Sequence, residues 1–107
     1  MDHNAAAVAD RYAGLVERLR RAVFGSPATT DPATRSAAAT GGRLPEPLAG
    51  YAAKVRDEPY RITDADVEAL KAAGHSEDEV FEVTVSAAVG AALRSLDAGL
   101  DVVGAQE

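Results

Sequence analysis

The chain of 107 residues contains no cysteine and no tryptophan, one methionine, two phenylalanines and three tyrosines. Without cysteine there are no disulfides, thiolate metal sites, iron–sulfur clusters or thiol-based catalysis. The shortage of large aromatics matters because a domain of this size buries only about two-thirds of its unfolded surface. Apolar residues reach 47%, yet many are alanines, so the core needs close helix packing or help from partner subunits. Gly-rich phosphate loops and Gly-x-Ser-x-Gly nucleophile elbows are missing too. No five-residue stretch alternates between turn signals except around Val83–Val85, which a helix explains better.

Positive charge is also scarce. The net charge is −6, which argues against general nucleic-acid binding, because phosphate contacts need clustered cations. The imbalance is uneven: residues 1–43 hold six arginines against four acids, whereas residues 44–107 hold five bases against thirteen acids. The N-terminus lacks the basic start and apolar core of a secretory signal. The longest mainly apolar stretch, Val80 to Leu93, is too short for a bilayer and carries Glu82. A cytoplasmic protein with no membrane partner is expected.

What is present reads as helix throughout, and the expected class is all-α in a single domain. Over residues 1–24, Val8, Tyr12, Leu15, Leu19 and Val23 recur in steps of three and four and predict an amphipathic helix from about residue 5. Gly25-Ser26-Pro27 stops it. Residues 25–43 are the least regular part. Asp31-Pro32 can cap and open a short helix that Gly41-Gly42 ends, or the stretch is a mobile arm. The core is expected over 44–104. A helix over 46–58 presents Leu48, Tyr51, Ala52 and Val55 and stops at Pro59. Thr63 with Asp66 forms a capping box for a helix that buries Val67, Leu70 and Ala73 and ends at Gly74.

Ser76 with Glu79 forms a second capping box, and the acids 77–79 suit the positive end of a helix dipole. The helix it opens spans 77–97 or continues to 103. From Val80 to Leu93 it is apolar or small on nearly every side, so it must be covered all round. So few other bulky residues are available that subunit contacts along 77–97 are predicted. Ala87, Gly90 and Ala91 permit close backbone crossing there.

Residues 44–100 resemble the carboxymuconolactone decarboxylase family, which includes the alkylhydroperoxidase D-like proteins. The resemblance is strongest over ALKAAGHSEDEVFEVTVSAAVGAALRSLDAGL: a helix, a glycine, a cap, an acidic first turn and a long small-residue helix. It implies an alkylhydroperoxidase D-like helical bundle completed by assembly into a homo-oligomer, a trimer or hexamer. Redox-active members carry Cys-x-x-Cys with a His four residues after the second Cys. Counted back from Gly74, that His falls on Asp66 and the two Cys on Ile62 and Pro59, so none matches. Thiol peroxidase activity is therefore excluded, since it needs a low-pKa thiolate and a resolving thiol. Decarboxylating members work without cysteines, which leaves a lyase-type reaction on a small carboxylate open.

Several residues are candidates for chemistry. Glu82 is the one acid within the apolar run; burial would raise its pKa and suit it to general acid–base work, or it pairs across a subunit contact. His75, in the turn between two helices, has an intrinsic pKa suited to proton transfer, or is simply exposed. Tyr51, Lys54, Tyr60 and Arg61 gather around Pro59 and could converge on an anionic ligand, with Arg61 clamping a carboxylate. Arg94, twelve residues from Glu82, cannot pair with it within one helix, and across a subunit interface the two could form a structural ion pair. The two histidines lack zinc-site spacing, so no metal and no cofactor are expected. The alternative to an enzyme is a non-enzymatic helical oligomerisation module or a partner subunit of a larger complex. An unrelated small bundle is a third reading.

Overall fold

Glycine and proline breaks divide a computed structural model of the chain, described over residues 2–25 and 28–105, into five α-helices and one 3-10 turn. They are α1 (Asp2–Phe24), α2 (Pro32–Thr40), α3 (Leu48–Asp57), a 3-10 turn (Pro59–Arg61), α4 (Asp64–Ala72) and α5 (Glu77–Ala105). Among the described residues there is no strand, and the chain is all-α. The side chains of residues 2–6, 8, 9 and 12 fall outside the described part, and with them the expectations for His3, Val8 and Tyr12.

Local chemistry sets most boundaries. The short helix at Asp31-Pro32 is present. The Asp31 carboxylate accepts from Thr34 N–H at 2.8 Å, Pro32 opens the first turn, and Gly41 at φ 83° closes the helix. At the end of α4, Gly74 sits at φ 100°, and two backbone bonds run back from Gly74 to Lys71 and from His75 to Leu70. This is the Schellman arrangement, which only a residue without Cβ adopts at little cost. Ser76 Oγ accepts from Glu79 N–H at 3.1 Å while the Glu79 carboxylate accepts from Ser76 N–H at 3.0 Å, completing the box that starts α5.

Two arginines hold helix C-termini, where carbonyls lack partners and the dipole is negative. Arg35 donates to Val23 O at 2.7 Å at the end of α1, and Arg56 donates to Ala38 O at 2.7 Å near the end of α2. Residues 25–43, the least regular part by sequence, thus supply a central helix. Ala38 and Ala39 are buried, and α2 makes the most extensive contact with α5. The crossing is close because Gly90 has no side chain: a Cβ there would lie 2.5 Å from Ala39 O. Gly90 therefore serves a close crossing within the chain.

The core gathers Leu48, Tyr51 and Val55 of α3, Leu70 of α4, and Val80, Val83 and Ala87 of α5. Val67 packs against it partly buried, while Ala73 is exposed, because it lies at the cap where α4 has already turned away. Among the described side chains of α1 only Val16 is buried, while Leu15 and Leu19 stay about half exposed, on a side of α1 turned away from α2 and α5. α5 runs eight residues past 97, for a length of about 43 Å at 1.5 Å per residue. By length and composition alone it is apolar enough to cross a membrane, and 28% of the qualifying window is buried in the fold.

Candidate functional site

The groups with chemical potential lie along the first half of α5 and the elements it touches. Glu82 comes first because the outcome reverses the expectation. It is not desolvated into a neutral acid; its carboxylate collects three donors from the loop before α2. Thr30 gives its hydroxyl at 2.7 Å and its N–H at 2.7 Å, and Thr29 gives its N–H at 3.0 Å. These bonds, the Thr30 hydroxyl foremost, hold the Glu82 pKa down to about 2. A carboxylate so held is ionised and saturated, so it clasps the 29–30 loop to α5 and is poorly suited to carry a proton near neutrality.

His75 lies in the turn before α5, with Nδ1 3.5 Å from a Glu79 carboxylate oxygen. That carboxylate is held below its ordinary range, first by Ser76 N–H and then by His75 itself. His75 and Glu79 thus form a local pair across one helical turn, at the outer end of the bundle.

Of the four residues expected to converge around Pro59, Tyr51, Lys54 and Arg61 each meet a separate partner, and Tyr60 is exposed. The Tyr51 ring is buried and its hydroxyl lies 2.6 Å from Thr84 Oγ1. Thr84 donates in turn to Val80 O at 2.6 Å, so the tyrosine is the donor in the first bond. Lys54 reaches both Asp66 oxygens, at 3.0 and 3.1 Å. Asp66 also accepts from Thr63 N–H at 2.8 Å, and these donors, Thr63 first, lower its pKa. Arg61 turns back to Glu58 at 3.2 Å, and Tyr60 stands 82% exposed. The positions where the redox members of the resembled family carry their reactive pair and histidine fall on the 3-10 turn (Pro59), on its cap (Ile62) and on this Asp66.

Arg94 lies 3.8 Å from Asp57 of α3 in the same chain. Among the described residues no group of three or more His, Asp or Glu is placed to hold a metal ion.

A groove of about 310 Å3 opens between α3, α4 and the start of α5. Tyr51, Val67, Val80 and Phe81 make its walls, and the Lys71–Glu77 ion pair, 2.8 Å long, stands at its rim. That pair raises the lysine pKa and lowers the glutamate's. Sequence reasoning missed this groove. Val67, Lys71, Phe81 and Thr84 are spread over two helices, and only the tight turn at Gly74 sets them beside Tyr51.

The sharpest feature is how α5 distributes charge. At about 100° per residue, the ionised side chains beyond Val80 (Glu82, Arg94, Asp97 and Asp101) all fall on the half of the helix centred on Gly90, which faces the chain's own helices. The opposite half carries no charge as far as Ala105, and there Phe81 is 68% exposed. An ordinary surface helix shows the reverse arrangement.

Comparison of the chain with protein-family models, with curated proteins and with solved structures finds no match in any of the three. The class defined here is therefore that of an all-α bundle built around one long helix, with its functional reading resting on the residues themselves.

Proposed function

We propose that this chain is a non-enzymatic helical interaction module, whose long helix offers an uncharged side to another protein chain. The observation that carries the reading is the inverted charge distribution of α5: its outward half is uncharged over about 33 Å, from Phe81 to Val103. The fate of the catalytic candidates supports it. Glu82 is saturated by Thr29 and Thr30, and Lys54 and Arg61 are neutralised by Asp66 and Glu58. We further propose that residues 44–100 are a cysteine-less relative of the carboxymuconolactone decarboxylases, in which assembly has outlasted redox chemistry. Native mass spectrometry of gently purified protein tests the reading. Particles holding more than one protein chain are expected, and a lone chain carrying a retained small molecule would overturn it.

The groove at Tyr51 favours a second reading, binding of a small carboxylate. Its apolar walls suit a compact hydrophobic body, and Lys71 at the rim would meet the carboxylate in place of Glu77. Amide chemical shifts of Val67, Lys71 and Thr84, followed while benzoate is added, test it. Saturable shifts that disappear in Lys71→Gln support it, and unmoved resonances rule it out.

A further inference from the structure

The first helix carries a pattern that its packing on α5 does not use. In steps of four and three, Val8, Tyr12, Leu15, Leu19 and Ala22 keep the spacing of a heptad seam, with two apolar positions in every seven. At 100° per residue these five positions fall within about 80° of one another. A stripe so narrow is the seam of a helix pair; the apolar side that packs on a core or sinks into a lipid surface is wider. Leu15 and Leu19 stand about half exposed on it.

The charges of α1 are sorted about this stripe. Arg11 and Arg18, seven residues apart, flank it on one edge; both are exposed, and among the described residues neither makes an ion pair. The other edge is closed by the chain itself, since Val16 is buried and Val23 half-buried. Asp10 and Glu17 lie on the far side of the helix, in the groove shared with Asp97 and Asp101. In a heptad pair the residues that flank the seam choose the partner, and here the open flank is cationic. A second α1 does not answer it. Laid antiparallel, its arginines would meet arginines; laid parallel, they would meet the edge that Val16 and Val23 close. Carboxylates at the facing positions answer it, and arginine holds them in two parallel hydrogen bonds.

We infer that the outward side of α1 seats an acidic amphipathic helix of another protein, with apolar residues in heptad spacing and Glu or Asp opposite Arg11 and Arg18. The inference goes beyond the reading of α5 and uses no residue of that helix, so the two can fail separately. The probe is a fluorescent peptide of about three heptads with Leu at the seam and Glu beside it, and its twin carries Lys in place of Glu. The full chain should bind the acidic peptide saturably at micromolar concentration, read by anisotropy, and at least about tenfold more weakly at 1 M salt, where screening is nearly complete. The net charge of −6 works against binding of that peptide anywhere else on the chain. Leu15→Ala with Leu19→Ala keeps every charge and should weaken binding at least about tenfold with unchanged helix content. Arg11→Glu with Arg18→Glu should exchange the two peptides, so that the lysine twin binds and the acidic one does not. A native chain that ignores the acidic peptide overturns the inference, and so does acidic-peptide binding that both double variants retain. If a chain that ignores both peptides pellets with phosphatidylserine vesicles, the occupant is a lipid surface and the inference falls.

Discussion

Leu93 and Leu96 stand three residues apart on α5 and have opposite fates. Leu93 is 3% exposed within the chain's own core, whereas Leu96 is 39% exposed on the outward side. The same contrast holds for two small residues: Gly90 lies against the backbone of α2, and Ala92 faces away from the bundle. The helix has two apolar sides of different kinds. The inner side is used up by α2 and α3, and most of the outer side, Phe81, Ala88, Ala92 and Leu96 among it, stays exposed. Apolar composition alone is therefore no measure of what a helix buries; the placement of its few charges says more. Glu82, Arg94 and Asp97 sit on the inner half because each has a partner there, on the 29–30 loop, α3 and α1 respectively.

The largest effect should come from the inner side. Leu93→Ala removes a buried side chain and is expected to cost about 3 kcal/mol, read as a shift of the urea midpoint. Gly90→Ala should cost about 2 kcal/mol, because the new Cβ would meet Ala39 backbone atoms at 2.5 and 2.7 Å and force α2 outward. A melting temperature equal to the native one would show that α2 can retreat freely. Tyr51→Phe deletes the bond to Thr84 while keeping the ring, and should cost about 1 kcal/mol in thermal unfolding. On the outer side, Leu96→Ala should change the stability of the dilute chain by no more than about 0.5 kcal/mol. Its cost should grow with protein concentration if the outer face is covered by a second copy. A concentration-independent loss as large as that of Leu93→Ala would abolish the distinction between the two sides.

Acid sharpens the comparison differently. The Glu82 pKa is depressed in the fold, from 4.5 to about 2, so the clasp contributes stability above the unfolded value and loses it as pH falls from 4.5 toward 2. Glu82→Gln should flatten that part of the stability–pH curve and leave the neutral arm parallel to the native one. An unchanged acid limb would mean that Thr29 and Thr30 do not hold this carboxylate in solution.

The helices themselves were legible in the sequence wherever a boundary is set by neighbouring residues. Asp31-Pro32, Thr63 with Asp66, Gly74 and Ser76 with Glu79 each act over three to six residues, and a reader of the chain meets all the partners together. The candidate site was legible only in part. Glu82 was singled out as unusual, but its partners lie 52 and 53 residues away, and nothing near it indicates Thr29 or Thr30. Nothing near Arg94 in the sequence indicates Asp57, the acid it meets within the chain. Tyr51, Lys54, Tyr60 and Arg61 are close in sequence, yet Lys54 and Arg61 each find an acid of their own before they can share a ligand.

By itself the sequence determined that the chain is helical, where most of its helices begin and end, and that thiol chemistry is closed to it. Those properties follow from backbone capping, side-chain periodicity and the absence of an element, all of which are local or compositional. The tertiary structure alone decided which side of α5 the chain keeps for itself. Its all-round apolar surface offers no preference until Gly90 admits the backbone of α2 and the 29–30 loop finds Glu82. Once those two contacts orient the helix, the uncharged side from Phe81 to Val103 is left facing outward.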